Sequence, residues 1–333
     1  MLVSVLLPVH NAAGTLKRAV DSMLGQGFGD FELLLVDNAS TDDTPAITQS
    51  LAAADSRVRL LQESKQGISF ALNHGLRHAR GRYVARMDAD DVSLPGRLQK
   101  QVDFMEQHPP VGLVGGLVEF HSDLPDAQGY AEYVRQLNTW QTPDELYRYR
   151  FVESPFAHPS VLFRRELIEQ FGFYTEAEEP EDYELWLRWF HHNVPMAKLA
   201  EPVLHWNDSA ARLSRTDPRC SPEAFDRVRY RYLAQWLQPR LEQLPPIYVW
   251  GGGKLASRKM KALQTHGNIP IAGIIDIKEK KHTSLPLLHF SQLPPLGEIF
   301  VVSMVSNRGK YLEIEQYLQE RGYQFERDFV LAQ

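Results

Sequence analysis

Short apolar runs alternate with amphipathic stretches from the first residues of the chain. Val3 to Leu7 is continuously apolar and predicts a buried strand. From about Thr15, Leu16, Ala19, Val20 and Met23 recur at the spacing of one helical face. Phe31 to Val36 repeats the strand pattern and ends in Asp37, and Ser40-Thr41-Asp42-Asp43 offers capping side chains for a second helix. Val58 to Leu61 predicts a third strand, Ile68 to Arg80 a third helix, and Tyr83-Val84-Ala85 a fourth strand. This βαβαβαβ order predicts an α/β fold with a mainly parallel mixed sheet and helices on both faces. A helix around Leu98 to Gln107 and the apolar stretch Val111 to Val118 extend it.

From about Gly129 to Arg240 the pattern loosens, and aromatic and charged residues mix. Arg165 to Phe171 and Glu181 to His192 stand out as helices, and Pro222 to Leu241 is a longer amphipathic stretch. Leu244-Pro245-Pro246 marks a domain boundary. Beyond it, strands at Ile247 to Trp250, Ile269 to Asp276, Ile299 to Met304 and near Phe329 alternate with helices at Lys254 to His266 and Lys310 to Arg321. The expected organisation is therefore a first domain over 1–244, in halves 1–120 and 121–244, and a small Rossmann-like βαβ domain over 245–333.

Composition narrows the field. With 333 residues, 43% of them hydrophobic and 23% charged, the chain can bury two ordinary globular cores. A net charge of −6 argues against nucleic acid held on a general basic surface. The single cysteine, Cys220, excludes an internal disulfide framework. No apolar run approaches the roughly 18 residues of a membrane span, and the start reads as a first strand, not a signal peptide. The expected location is cytoplasmic, with peripheral attachment at the inner face of the membrane left open.

Chemistry concentrates where the predicted strands end. Arg86-Met87-Asp88-Ala89-Asp90-Asp91 follows the fourth strand, and ligands of open α/β sheets collect at the carboxyl ends of strands. Asp88 and Asp90 can share one hard cation, Mn²⁺ or Mg²⁺, gripping a diphosphate. Asp37 either caps a turn or accepts the imide N–H of a uracil or thymine ring. Gly67, in Lys65-Gln66-Gly67-Ile68, permits close approach of backbone to a ligand at a helix start. Glu181 and Asp182 either complement a helix dipole or set one carboxylate facing the cleft as a general base. His158 and His205 are either satisfied structural side chains or ligand contacts, and His205 is the better candidate to complete a metal site with Asp88 and Asp90. Gly251-Gly252-Gly253-Lys254-Leu255-Ala256, with Asp276 some way on, approximates a dinucleotide fingerprint.

Taken in order, six segments resemble the family 2 glycosyltransferases. They are Leu6 to Asn11, Val36 to Asp42, Gly67 to Gly75, Ala85 to Asp91, His158 to Arg165 and Glu181 to Arg188. The resemblance implies the nucleotide-sugar-binding fold called GT-A, and an inverting, metal-dependent transfer of a sugar from a nucleotide-diphosphate donor, a UDP-sugar, to a hydroxyl of a glycan or lipid-linked acceptor in surface polysaccharide assembly. It implies that Asp37 reads the base, that Asp88 helps hold the nucleotide with Pro8, Asn11, Gly67 and Arg86 on the donor side, and that Asp90 binds the metal. Asp182 would be the catalytic base, with Glu181 and His158 toward the acceptor. One departure stands out: the family often shows Asp-Asp-Gly-Ser where this chain has Asp37-Asn38-Ala39-Ser40, which makes uridine preference less secure. Two other readings remain: a non-catalytic nucleotide-sugar sensor or assembly partner, and a nicotinamide-dependent oxidoreductase centred on Gly251.

Overall fold

The computed structural model describes residues 1–210, 212–278 and 284–333. They divide into two compact units, one formed by residues 1–146 with 155–220, the other by 147–154 with 221–333. The stretch expected to close the first domain, the helix Pro222–Leu237, belongs to the second unit.

The first unit opens with β1 (Val3–Val9), α1 (Leu16–Leu24), β2 (Phe31–Asp37), α2 (Thr44–Ala54), β3 (Val58–Gln62), α3 (Ile68–His78) and β4 (Tyr83–Arg86). Helix α1 buries Leu16, Ala19, Val20 and Met23, the residues whose spacing predicts that face. After β4 come β5 (Val92–Ser93), α4 (Arg97–Gln107), β6 (Leu113–His121), α5 (Gln128–Thr139), α6 (Pro143–Arg148), β7 (Leu162–Arg164), α7 (Glu166–Phe171), α8 (Glu181–His191), β8 (Met196–Asn207) and α9 (Leu213–Thr216). The eight strands form one mixed sheet in the order β3-β2-β1-β4-β7-β6-β8-β5.

Strand β1 runs parallel to both β2 and β4, and β2 runs parallel to β3. Their carboxyl ends therefore share one edge of the sheet. The order reverses direction at β1, which is the topological switch point where such sheets bind ligands. Beyond β4 the sheet changes character, because β7 runs antiparallel to both β4 and β6. Gly75 lets α3 approach β1 closely, since a Cβ there would meet Leu6 Cδ1 at 2.1 Å. Five elements of the loosely patterned region were not anticipated from sequence: α5, α6, the three-residue β7, the twelve-residue β8 and α9. Strand β8 pairs with β6 across two register shifts around Leu117, where Pro202 enters the ladder. Proline donates no ladder hydrogen bond, and Lys198 and Glu201 break the apolar run, so the sequence does not mark this strand.

The second unit contains α10 (Pro222–Leu237), β9 (Ile247–Trp250), α11 (Lys254–Gly267), β10 (Gly273–Asp276), β11 (Leu287–His289), β12 (Phe300–Ser303), α12 (Lys310–Gln319) and β13 (Phe329–Leu331). Its parallel sheet has the order β11-β10-β9-β12-β13, which follows the first five strands of the dinucleotide-binding order. The expected strand from Ile269 begins only at Gly273, past Pro270, which lacks the N–H that pairing requires. Among the described residues no helix is long and apolar enough to cross a membrane.

Candidate active site

Strand β4 delivers its acidic burst to the sheet edge. Arg86 is almost wholly buried, and its Nη2 donates to Asp88 Oδ1 at 2.6 Å while Nη1 donates to the Met87 carbonyl. A second buried arginine, Arg97 on α4, donates to the Arg86 carbonyl at 2.8 Å and fixes the end of the strand from below. Asp88, Asp90 and Asp91 each bring a carboxylate oxygen within 4.8 Å of the other two. Burial, then repulsion from Asp88, pushes the Asp90 carboxyl up to about 6. Burial, then Asp88 and Asp90, pushes Asp91 well above the ordinary carboxylate range. Asp91 Oδ1 accepts from the Asn207 N–H at 2.8 Å, whereas its buried Oδ2 has no partner. Arg212 stacks on the Trp206 ring, 3.9 Å from its centroid, and its positive charge favours the ionised forms of Asp90 and Asp91.

An all-oxygen donor set with an orphaned buried carboxylate oxygen fits a hard divalent cation such as Mg²⁺ or Mn²⁺. The expected third ligand is not with this group. His205 pairs through Nε2 with Glu119 Oε2 at 2.9 Å and lies beside His121. The third carboxylate near Asp88 and Asp90 is Asp91, present in the same run but not singled out from sequence. Arg212 and Asn207 were also missed. They come from a segment more than 110 residues along the chain, and nothing local marks them as facing Asp91.

The ends of β1 and β2 build the adjoining wall. Asp37 is buried at the end of β2, where its Oδ1 accepts from Ser40 N–H at 3.3 Å. Asn11, just after β1, accepts from Thr41 N–H through Oδ1 at 2.8 Å and donates its own N–H to Ser40 Oγ at 3.1 Å. Pro8 is buried inside β1 opposite Val36. Asn38, standing where the family often has aspartate, is committed to the neighbouring loop. Its Nδ2 donates to the carbonyls of Glu63 and Lys65 at 3.2 and 2.8 Å, and its Oδ1 accepts from Gly67 N–H at 2.7 Å. An ionised carboxylate has no proton to donate to either carbonyl, so the amide is matched to this loop. Gly67 has φ +136°, open to glycine alone without strain.

Ala39 takes the family's glycine position with φ +56°, a left-handed conformation disfavoured for a residue with a Cβ. Ala39→Gly is therefore expected to stabilise the protein by about 1 kcal/mol. A thermal melt at fixed pH would read this as a rise of roughly 2–4 °C, and an unchanged or lower melting temperature would refute it.

On the other side of Arg86 lie the residues of α8 and its approach. Glu181 is buried at the helix start, and Asp182 follows with its Oδ1 accepting from Tyr183 N–H at 2.6 Å. Burial, then the like charge of Glu181, pushes Asp182 up to about 7. Burial also raises Glu181. His158 places Nδ1 3.8 Å from Glu181 Oε1 and Nε2 2.9 Å from the Tyr174 hydroxyl. Burial, then the charge of Arg86, drives the His158 pKa well down, keeping the ring neutral. Tyr174 is held in turn by Asn73 inside α3, whose side chain makes two backbone hydrogen bonds to it, both 3.0 Å. The charge of Arg86 acts on Asp90, His158, Glu181 and Asp182 alike. The acid cluster and the α8 carboxylates therefore share one electrostatic environment.

In the second unit the glycine turn after β9 has a different use. Gly252 N–H donates to Asp276 Oδ2 at 2.7 Å. The carboxylate that a dinucleotide site would turn to a ribose binds the glycine loop here.

Residues 4–172 match the sequence model of the family described as Glycosyl transferase family 2. EpsE of Bacillus subtilis, provisionally named a glycosyltransferase, is 36% identical over 207 residues, covering 60% of this chain and 71% of that protein. The O-antigen biosynthesis glycosyltransferase WbnJ of Escherichia coli is 30% identical over 210 residues, covering 62% and 79%. Among solved structures, S. aureus TarS 1-349 in complex with UDP-GlcNAc has a TM-score of 0.51 at 16% identity over 80% of this chain and 71% of that one. The mannosyltransferase PcManGT from Pyrobaculum calidifontis, in complex with GDP-Man and Mn²⁺, has a TM-score of 0.50 at 21% identity over 80% and 73%. At such identities these two likenesses establish the GT-A fold alone.

Proposed function

We propose that this chain, which belongs to glycosyl transferase family 2, transfers a sugar with inversion from a UDP-sugar to a hydroxyl of a glycan or lipid-linked acceptor in surface polysaccharide assembly. The observation that carries this reading is the pairing of two carboxylate groups around Arg86. One is the acid triad Asp88, Asp90 and Asp91 at the strand ends, and the other is the α8 pair with Asp182 raised to about 7. The role of WbnJ in O-antigen biosynthesis and the UDP-GlcNAc bound by TarS favour the polysaccharide and uridine readings. PcManGT binds GDP-Man, so the base is the part that most needs measurement.

In this reading Asp37 receives the imide N–H of the base, and the backbone around Gly67 and Asn11 borders the nucleoside. Asp88 and Asp90, with Asp91, would hold Mn²⁺ or Mg²⁺, which when bound offsets negative charge building on the leaving diphosphate. Arg212 adds a fixed positive charge on the same side. Asp182 takes the proton of the acceptor hydroxyl as the new bond to the anomeric carbon forms and the bond to the diphosphate breaks. An acid of ordinary pKa, about 4, is a weak base; one near 7 is matched to neutral solution. Glu181 and the neutral His158 line the acceptor side. The work would be done in the cytoplasm or at the inner face of the membrane.

Thermal melts with a panel of nucleoside diphosphates and their sugars, each with and without Mn²⁺, test this. Metal-dependent stabilisation confined to the uridine members is expected. Stabilisation by guanosine or thymidine members instead would replace the donor, and no stabilisation by any member would overturn the reading.

A further inference from the structure

We propose that Glu119, His121 and His205 form a second metal site, for a transition-metal ion of the zinc class, distinct from the acid cluster of Asp88, Asp90 and Asp91. Glu119 and His121 are two apart on β6 and so project from the same face of the sheet. His205 on β8 pairs directly with Glu119 in the parallel ladder, which puts its side chain on that same face. The intervening residues, Phe120 and Trp206, turn the other way, and their rings meet edge-on with centroids 6.5 Å apart. Strand geometry alone therefore converges two imidazoles and one carboxylate. One ligand atom from each lies within 4.8 Å of the others.

The donor types separate this site from the first. Carboxylates alone suit Mg²⁺ and Mn²⁺, whereas two imidazoles with a carboxylate suit Zn²⁺, Ni²⁺ or Cu²⁺. Two histidines with one glutamate is a zinc ligand set that leaves a fourth position for water. In a tetrahedral site with bonds of about 2.0–2.1 Å, ligand atoms stand roughly 3.3 Å apart. The observed spacing thus needs only small side-chain rotations. Glu119 and His121 are exposed and His205 is 35% exposed, so an ion has direct access from solvent.

The site is joined to the acid cluster through the backbone. Asn207, two residues beyond His205, donates its N–H to Asp91 Oδ1 and its Nδ2 to the Asp90 carbonyl at 2.9 Å. An ion bridging β6 to β8 would fasten the strand end that carries Asn207.

The test is a Zn²⁺ titration of metal-stripped full-length protein against a chromophoric chelator, in the presence of excess Mg²⁺, with melting curves alongside. Wild type, His121→Ala, Glu119→Gln and the double variant Asp88→Asn/Asp90→Asn would be compared. Wild type should bind one Zn²⁺ that Mg²⁺ does not displace and should melt higher with it. The double aspartate variant should keep that site. His121→Ala and Glu119→Gln should weaken it at least about tenfold and lose the zinc-dependent rise in melting temperature. Equal affinity in His121→Ala and wild type overturns the proposal. So does zinc binding that disappears with the aspartates, or none in wild type. Because His121 is exposed, its truncation leaves the core intact, and the zinc-free melting curve verifies that.

Discussion

Asp182→Asn should reduce kcat by roughly 10²–10⁴-fold, the usual worth of a positioned general base, while raising the melting temperature at pH 8. The two effects share one cause. Asp182 is raised to about 7 by burial and then by Glu181, so between its ordinary pKa and about pH 7 the native state holds a proton that the unfolded chain has released. Stability from this group therefore falls as pH rises through that window and is lowest above it. Asparagine keeps the acceptor for Tyr183 N–H and removes the disfavoured charge. Wild-type kcat/KM should rise with pH up to about 7 and then level, because the base works only when deprotonated. In Glu181→Gln the like charge is gone, and the rising limb should move to lower pH. A structural role for Asp182 predicts the opposite pattern in the melt: loss of stability on substitution, with activity lost only through unfolding. Retention of more than a tenth of wild-type kcat in folded Asp182→Asn would remove Asp182 from the role of base.

The parts of this site that were legible in the sequence end or begin a regular element. Asp37 closes the apolar run Leu33 to Val36, and Asp88 stands three residues past the run Tyr83 to Ala85. The length of these runs and their alternation with helical stretches mark them as buried strands ending at the rim. Asp182 follows Pro180 at a helix start, and that position orients it. What was not legible depends on pairing between distant strands. His205 looked suited to the acid cluster because an imidazole could complete a metal site built from Asp88 and Asp90, but its direction is set by the β6–β8 register. That register passes through two irregularities, and a shift of one residue would send His205 to the other face. Asn38 is a related case. It stands where the family often has aspartate, and its side chain holds the Lys65–Gly67 loop, a tertiary contact that the sequence does not mark. Arg212 could not be placed because cation–aromatic stacking on Trp206 is a tertiary contact with no periodic signature.

Asp90→Ala should cost at least about 10²–10³-fold in kcat and abolish the Mn²⁺-dependent stabilisation by donor, while the metal-free protein melts no lower than wild type. Charge explains the combination. The three carboxylates repel one another, Asp88 raising Asp90 and both raising Asp91, even with the guanidinium groups of Arg86, Arg97 and Arg212 nearby. A nucleoside diphosphate sugar adds two further negative charges on its diphosphate. At the short distances of a partly buried site that repulsion is several-fold stronger than in water, and a divalent cation is the simplest group to reverse it. Removing Asp90 relieves repulsion with Asp88 and Asp91, which is why folding should not suffer, but it also removes one of the two half-buried anchors for the ion. Chelator treatment of wild type should mimic the variant and be reversed by Mn²⁺ or Mg²⁺; Asp90→Ala should not be rescued by either. If chelator-treated wild type and Asp90→Ala both keep full activity, the leaving diphosphate is neutralised by Arg212 and its neighbours instead. Arg212→Ala would then show the large loss expected here for Asp90→Ala.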